Sequence, residues 1–294
     1  MKSKKQMLLL LATATLFAAC GGSDDEAVTP APQPQQPRML TVEVSERPMQ
    51  TEGGAVQAPR RAGDATTTET LNTFTMCGDN NEWSATLTKT DGKWTTSWPR
   101  VDDSKKWNFY AYNVGNESKF NWNEGYPEVS FTMEKEVANQ KDFLVAKTAE
   151  AKSWSETGGK VSLTFDHACA AVQFYVYKEE SATYVVKDIQ LQNVYKQGNY
   201  YFNDNSWKNL STPPEFPGFT LTTGDITLTS DDITLDKKKL LPKGWLYVIP
   251  QSKDEMQLRI TYTKDGVAKT PKLIGLSGSW EAGYQYTVNI KIGK

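Results

Sequence analysis

Apolar and polar residues alternate with a period of two along most of the chain after residue 38. Successive side chains of a β-strand point to opposite faces, so this alternation predicts strands with one buried and one exposed face. The alternating segments are residues 40–44, 83–87, 94–98, 129–133, 161–167, 172–176, 256–262 and 284–292. No segment of 11 or more residues after position 20 has the apolar spacing of a core-facing helix. The pattern therefore predicts an all-β chain.

Turn-forming residues separate these segments and indicate how the strands are arranged. They are Asp91-Gly92, Gly158-Gly159, Gly198-Asn199, Asp265-Gly266 and residues 281–283. Many short strands joined by Gly and Asp turns favour antiparallel β-sandwiches. A length of 294 residues allows two domains. The break in the pattern at residues 149–159 predicts an N-terminal β-sandwich over residues 62–155 and a C-terminal β-sandwich over residues 156–294.

The first 19 residues have the features of a signal peptide. Lys2, Lys4 and Lys5 precede the apolar run 7–19, which ends at Cys20. The run is too short for a membrane span, which needs about 20 apolar residues. Residues 16–20 resemble a bacterial lipobox, so we expect cleavage before Cys20 and lipid attachment, with palmitate among the acyl chains, at this cysteine. An ordinary signal peptide followed by an incidental cysteine is the alternative.

The residues after Cys20 favour a tether. A small and acidic stretch, 21–26, runs into the proline-rich stretch 30–37, which has no means of packing a core. The acidic cluster resembles the surface-export signal of Bacteroidota lipoproteins and implies the outer face of an outer membrane. A solvated linker that faces the periplasm is the alternative. Residues 20–61 are therefore expected to hold the lipidated tether and a propeptide strand.

Charge and residue counts exclude several function classes. The chain has 33 Lys and Arg against 35 Asp and Glu, so the basic surface that nucleic acid requires is not expected. One His and three Cys exclude a multi-His metal site and a four-Cys zinc site. We expect no enzyme activity, no cofactor and no metal. With Cys20 acylated, Cys77 and Cys169 remain, and their apolar or small neighbours predict buried free thiols.

Two alternative functions are considered from the residues present: nucleophilic catalysis and glycan binding. His167 and Cys169 lie two apart on a predicted strand and would share a face, as a Cys-His nucleophile pair would. No orienting acid is evident beside them, so a packed core histidine is the better interpretation of His167. The nine Trp and 13 Tyr allow exposed aromatic platforms that stack sugars, which makes a surface-exposed glycan-binding lipoprotein the alternative function.

The segment from residue 39 to residue 68 does not fit a simple domain. A good strand is followed by Arg47-Pro48, Gly53-Gly54 and Arg60-Arg61, which predict an exposed, cleavable loop. A cut after Arg61 would separate the strand from the rest of the chain and leave a groove with unpaired backbone groups. Before the cut, the strand is expected to act as an internal plug through the alternating residues Leu40, Val42 and Val44. A basic loop that is never cut is the alternative.

At these residues the chain resembles a fimbrillin of the type V pili of Bacteroidia, a family that includes major and minor fimbrillins and their Mfa-like relatives. The matching pieces occur in family order over nearly the whole exported chain. They are the lipobox at Cys20, the Arg61-Ala62 junction before residues 70–76, and residues 107–112, 142–146, 165–172, 247–251, 280–284 and 286–290.

The resemblance implies two transthyretin-like β-sandwich domains and a structural subunit of a cell-surface fimbria that supports adhesion. It further implies lipoprotein export, trimming by an arginine-specific protease and polymerisation by β-strand exchange. By analogy the protease cuts after Arg61, with Arg60 or Arg47 as alternates. The implied partners are other pilus subunits, the protease, the outer membrane through the lipid, and ligands on host or bacterial surfaces.

The candidate donor strand lies at residues 284–292, where Tyr286, Val288, Ile290 and Ile292 alternate with polar residues. The C-terminal domain is expected to need the same strand. A subunit that donates it must therefore release it, or donate another strand instead. A stalk, tip or anchor role is left open by this conflict.

Overall fold

The computed structural model describes residues 38–51, 71–79, 83–98, 104–113, 119–123, 125–222, 224–229, 235–241 and 244–293. The described residues belong to one compact unit. In the described residues the first twelve strands are β1 (Met39–Glu46), β2 (Gln50–Thr51), β3 (Thr73–Gly78), β4 (Ser84–Thr88), β5 (Trp94–Ser97), β6 (Phe109–Asn113), β7 (Lys119–Asn123), β8 (Tyr126–Thr132), β9 (Leu144–Lys147), β10 (Lys160–His167), β11 (Ala170–Lys178) and β12 (Tyr184–Gln192).

The remaining described strands follow β12 in chain order. They are β13 (Gln197–Tyr201), β14 (Ser206–Ser211), β15 (Phe219–Thr220), β16 (Ile226–Leu228), β17 (Lys239–Leu240), β18 (Leu246–Val248), β19 (Gln251–Ser252), β20 (Gln257–Lys264), β21 (Val267–Ala268), β22 (Lys272–Gly275), β23 (Ser279–Trp280) and β24 (Tyr284–Ile292). Helical structure in the described part of the chain is short: helix α1 (Trp154–Thr157) and 3-10 turns at Val137–Asn139 and Leu235–Lys237. The predicted all-β chain is confirmed.

The first sheet has seven strands in the order β4-β3-β6-β9-β10-β1-β5. All neighbours are antiparallel except β10 and β1, which run parallel. Strands β4 and β5 lie at the two ends of this order, yet the turn Asp91-Gly92 joins them, with Thr90 and Lys93 bonded across it. Both turn residues have positive φ, at 51° and 76°, as a two-residue hairpin turn requires. The sheet therefore curls until its ends meet.

The other sheets are built mainly from the C-terminal half of the chain. The second sheet has the order β17-β11-β24-β2, with β18 also on β11, and it contains the parallel pair β11–β24. The third has β12 and β20 at its centre, flanked by β15, β16, β21 and β22. The fourth has the order β14-β13-β8-β7, and β19 pairs with β23. The chain thus leaves the first sheet after β10 and enters the second at β11, through Ala168 and Cys169.

Buried apolar side chains of the described residues form two clusters. The smaller cluster fills the first sheet and includes Leu40, Val42, Phe74, Trp107 and Phe165. The larger cluster includes side chains such as Phe143, Phe174 and Ile290, and it packs the remaining sheets against the other face of the first sheet, at Cys77, Tyr110, Tyr112 and Val145. The expected domain boundary between residues 155 and 156 stays a prediction, and β10, which follows it, lies in the first sheet.

One predicted turn is wrong. Gly198 and Asn199 lie inside β13, where the pairing with β14 shifts register between Gln197 and Asn199. A Cβ atom at position 198 would lie 2.6 Å from Leu210 Cδ2, so the glycine serves close packing at a bulge. Gly158 and Gly159 do form a turn, since both have positive φ between α1 and β10.

Candidate functional site

Strand β1 lies inside the first sheet, hydrogen-bonded on both sides. Its register with β10 runs from Thr41 opposite Lys160 to Glu46 opposite Phe165, and its register with β5 runs from Met39 to Val42. Two further backbone hydrogen bonds lie at the ends of the β1–β10 pair. Thr41 N–H donates to the Gly159 carbonyl at 2.8 Å, and Arg47 N–H donates to the Phe165 carbonyl at 2.8 Å. Without β1, the backbone groups of β10 that face it would lose their partners.

The inward face of β1 follows the predicted alternation. Leu40 is fully buried, Val42 is 3% exposed, and Val44 is half-buried against the same cluster. Met39, on the opposite face, is 55% exposed. Leu40, Val42 and Val44 thus all pack into the smaller cluster of the first sheet. Their role as a removable plug stays a prediction.

The inward face ends in a buried ion-pair cluster. The Glu46 carboxylate lies 3.1 Å from His167 Nε2, and the Asp142 carboxylate contacts His167 Nδ1. The side chains of His167, Asp142 and Glu46 are 2%, 0% and 9% exposed. The imidazole lies between two carboxylates supplied by separate parts of the chain, one of them from β1.

The cluster holds His167 in its charged form. Burial alone lowers the pKa of the imidazole, but the charges of Asp142 and Glu46 outweigh it and raise the pKa to about 10. The backbone around Asp142 is fixed as well, because Asn113 Nδ2 donates to the Asp142 carbonyl at 2.5 Å and Asn113 Oδ1 accepts from Leu144 N–H at 3.0 Å. Sequence reasoning missed both acids, since neither lies near His167 along the chain. The apolar-x-apolar-x-apolar-x-acid spacing of β1 was the available signal for Glu46.

After β1 the chain crosses from the first sheet to the second. Arg47 and Asp166 form an exposed ion pair at 2.6 Å, and Met49 is buried in the larger cluster. Gln50 and Thr51 then pair with the start of β24, with Gln50 N–H donating to the Gly283 carbonyl at 2.8 Å. The segment 38–51 therefore occupies both sheets.

The candidate donor strand lies in β24. It pairs in parallel with β11 over eight positions, from Gln285 opposite Ala171 to Ile292 opposite Lys178. Tyr286, Ile290 and Ile292 are buried, and Val288 packs partly buried against the larger cluster. The strand is thus part of the core of its own chain, which is the conflict that the sequence predicted.

The predicted lipid-attachment residue and cleavage residues fall in other parts of the chain. Cys20, Arg60 and Arg61 lie outside the described residues. The alternate cleavage residue, Arg47, is exposed and directly follows β1. Lipid attachment and proteolytic processing therefore stay predictions.

The arrangement around Cys169 does not suit nucleophilic chemistry. Cys77 and Cys169 are buried free thiols, and burial raises the pKa of both well above the usual thiol range. His167 is engaged by two carboxylates. Among the described residues, no group of three or more His, Cys, Asp or Glu is arranged to hold a metal ion. In the cluster at His167 the carboxylates lie on opposite nitrogens of one ring and do not converge on a common point.

The aromatic residues are mostly core, as the strand alternation predicts. All nine Trp lie within the described residues, and each is buried or half-buried. Trp107 and Phe109 are fully buried. The described exposed aromatic side chains are Tyr126 and Tyr195, at 43% and 40%. A glycan platform built on exposed Trp has no support in this surface.

No helix in the described part of the chain has the length and apolarity to cross a membrane.

Comparison with protein families gives one match, to a family described as fimbrillin-like, over residues 54–294. No curated protein matches the chain. Among solved structures, a fimbrial protein from Bacteroides vulgatus is 17% identical with a TM-score of 0.57, and the match covers 87% of this chain and 95% of that one.

Two further structures match with lower scores. A protein from Bacteroides uniformis, provisionally described as a cell adhesion protein, is 17% identical with a TM-score of 0.49 over 89% of this chain and 95% of that one. A fimbrial protein from Bacteroides ovatus is 12% identical with a TM-score of 0.40 over 88% of this chain and 50% of that one. The B. vulgatus protein, with the highest TM-score of the three, shares the fold.

Proposed function

The chain belongs to the fimbrillin-like family, and we propose that it is a structural subunit of a cell-surface fimbria that supports adhesion. In this proposal the chain is exported to the outer membrane as a lipoprotein through Cys20. An arginine-specific protease then cuts it after Arg61 or Arg60, and the cut subunit polymerises by β-strand exchange.

The position of β1 carries the proposal. The strand lies between β10 and β5 in the interior of a sheet, although in the sequence it precedes both arginines of the predicted loop. A cut at Arg60 or Arg61 would break its covalent link to the rest of the sheet. The place of β1 would then be available to an extended strand from another chain, which adds main-chain hydrogen bonds and apolar side chains together.

Energetics favour exchange over simple loss of β1. Burial of Leu40 and Val42 contributes about 1.5–3 kcal/mol each, and each backbone hydrogen bond adds about 0.5–1.5 kcal/mol net. The sum is comparable to the total stability of a domain, about 5–15 kcal/mol. A cut chain that lost β1 with no replacement would be close to unfolding. An incoming strand with the same alternation restores these contacts at little net cost.

The candidate donor strand needs a separate account. Tyr286, Val288, Ile290 and Ile292 have the alternation that insertion requires, but their burial against β11 means that donation would open the second sheet. Insertion of β24 into another subunit therefore stays a proposal that requires its own measurement.

The test compares two double variants in cells that assemble the fimbria. R60A/R61A removes the cleavage residues, whereas R60K/R61K keeps the positive charges but is a poor substrate for an arginine-specific protease. Both variants should accumulate as uncut lipoprotein and give no ladder on an unheated gel, while the wild-type subunit should begin at Ala62 after a cut at Arg61, or at Arg61 after a cut at Arg60. The Arg47→Ala variant, which removes the alternate site, should polymerise normally.

Two results would contradict the proposal. Ladders of normal length from R60A/R61A would exclude cleavage at these residues as the trigger. Normal ladders from R60K/R61K alone would show that the loop acts through its charge.

A further inference from the structure

The inward face of β1 ends in an acidic residue, which packing of the core does not require. Leu40, Val42 and Val44 are followed, two residues on, by Glu46, and alternation places all four on one face. An apolar residue would be the usual choice at a position with 9% exposure. Here the position holds a carboxylate, 3.1 Å from His167 Nε2.

His167, which Glu46 contacts, and Asp142, the second acid of the cluster, belong to the part of the chain that follows Arg61. His167 ends β10, and Asp142 precedes β9. Asp142 occupies Nδ1 of the imidazole, so Nε2 is the nitrogen that faces the place of β1. The adjoining Arg47 and Asp166 are paired with each other at the surface. If β1 leaves, the groove ends in an imidazolium N–H that has lost its acid.

Water can solvate this N–H while the groove is open, but an inserted strand expels that water. An occupant with an apolar residue at this point would bury the imidazolium without the carboxylate that pairs with its Nε2 side in the precursor, which is unfavourable. A carboxylate restores a charge-assisted contact. The groove therefore discriminates between strands by the residue at the position of Glu46.

Strand β24 of a second copy does not supply that carboxylate. In the orientation of β1, placing Val288, Ile290 and Ile292 at the positions of Leu40, Val42 and Val44 puts Lys294 at the position of Glu46. A shift by two residues puts Ile292 there. A shift by one residue turns the polar face of β24 inward. None of these registers offers an acid to His167.

We propose that the groove filled by β1 is selective for a strand of the pattern apolar-x-apolar-x-apolar-x-acid from a different pilus subunit, and that it discriminates against β24 of a second copy. This inference rests on the proposed function, because it requires that β1 be exchanged. His167 and Asp142 are the specificity-determining residues, and the incoming Asp or Glu takes the place of Glu46.

The test uses the full precursor, cut after Arg61 in vitro with an arginine-specific protease. Synthetic peptides of residues 39–51 compete with the bound segment, and its displacement is followed by size-exclusion chromatography and mass spectrometry. The peptide with E46Q, which keeps the shape but not the charge, should bind at least tenfold more weakly than the wild-type peptide. The peptide with E43Q should bind within twofold of wild type, because Glu43 is exposed on the opposite face. A peptide of residues 284–294 should not displace the segment.

A protein variant separates recognition from general strand affinity. In cut His167→Gln protein, the peptides with Glu and with Gln at position 46 should bind equally, although both bind more weakly. The peptide comparisons in wild-type protein do not depend on whether this variant folds. Equal binding of the wild-type and E46Q peptides to wild-type protein would overturn the inference, as would binding of the 284–294 peptide as tight as that of 39–51.

The outcomes distinguish this inference from the proposed function. If the wild-type peptide never displaces the bound segment, β1 is not exchangeable, and strand exchange fails together with the selectivity. If displacement occurs without preference at position 46, strand exchange stands and the selectivity alone is wrong.

Discussion

Strands β1 and β24 have similar apolar patterns and similar parallel partners, but they are held in different ways. β1 lies between two strands, pairs with β10 over six positions and with β5 over four, and buries the side chains of Leu40 and Val42. β24 pairs with β11 over eight positions and with β2 over two, and buries Tyr286, Ile290 and Ile292. Both strands pair with their neighbours over ten positions, so the difference lies in the side chains: β1 buries two and ends in an ion pair, whereas β24 buries three, one of them aromatic.

The difference predicts which of the two strands a strand of another chain could replace more easily. Backbone hydrogen bonds are the same for any sequence, so a partner strand can reproduce them, and a polar contact at one end then sets the choice of partner. Large side chains fitted to one core are harder to replace. By this argument β1 is the better candidate for exchange, and β24 is the strand that keeps its own sheet intact.

The segment 38–51 also connects the two strands. It enters the first sheet as β1 and then reaches the edge of β24 through Met49, Gln50 and Thr51. Gly283, just before β24, donates its N–H to the Cys169 carbonyl at 3.0 Å, two residues after His167. The end of β1 and the beginning of β24 thus meet around one short stretch, so loss of the segment would uncover part of β24 as well.

The largest expected effect is in β24. Ile290→Ala removes a side chain that is 2% exposed in the larger cluster and should lower the free energy of unfolding by about 2–5 kcal/mol. The loss should be similar in the uncut precursor and in the cut protein, because Ile290 remains in both. Urea denaturation of both forms measures it.

The matched control for Ile290 is Thr287→Ala, on the exposed face of the same strand. It should change the free energy of unfolding by less than about 0.5 kcal/mol. If Ile290→Ala has an effect as small as this control, β24 is not the anchored strand that its burial indicates.

The sequence predicted more of the strands than of their contacts. Alternation located β1, β10, β11, β20 and β24 because each has one buried face, but it cannot show which strands are neighbours. That β1 pairs with β10, from which more than a hundred residues separate it, depends on the packing of the whole sheet. Gly198 failed as a turn because the close approach of Leu210 is not visible in local sequence.

The ion-pair cluster was hidden for the same reason. His167 was correctly predicted to lie in the core, but Asp142 and Glu46 approach it from distant segments. A lone histidine among apolar residues carries no sign of its charge. Only the folded arrangement shows that two carboxylates keep it protonated.

The next effect tests β1 directly. Val42→Ala removes two methyl groups from a side chain that is 3% exposed, and it should lower the free energy of unfolding of the uncut precursor by about 1–3 kcal/mol. After a cut at Arg61, the released segment carries the substitution away, and protein that has accepted another strand should match wild type. Denaturation before and after exchange gives the comparison.

Met39→Ala is the control for Val42, because Met39 lies on the exposed face of β1. It should be close to neutral in the precursor and should not change the rate at which the cut segment leaves. A Val42→Ala deficit that persists after exchange would show that β1 is never replaced.

The smallest effect is the pH dependence of the free energy of unfolding that arises from His167, the ion-pair partner of Glu46 in β1. The pKa of His167 is about 10 in the folded precursor, above the ordinary value of about 6.5, so its contribution to stability is complete below pH 6.5 and is lost as the pH rises through 10. The free energy of unfolding should therefore fall by about 1 kcal/mol from pH 7 to pH 8.

His167 is the single histidine of the chain, so one imidazole resonance in an NMR titration reports it. Glu46→Gln should lower the pKa of His167, whereas Glu43→Gln should leave it unchanged. An imidazole that titrates near pH 6.5 in the uncut precursor would mean that neither carboxylate holds it, and the contrast between the ion-paired β1 and the apolar β24 would be lost.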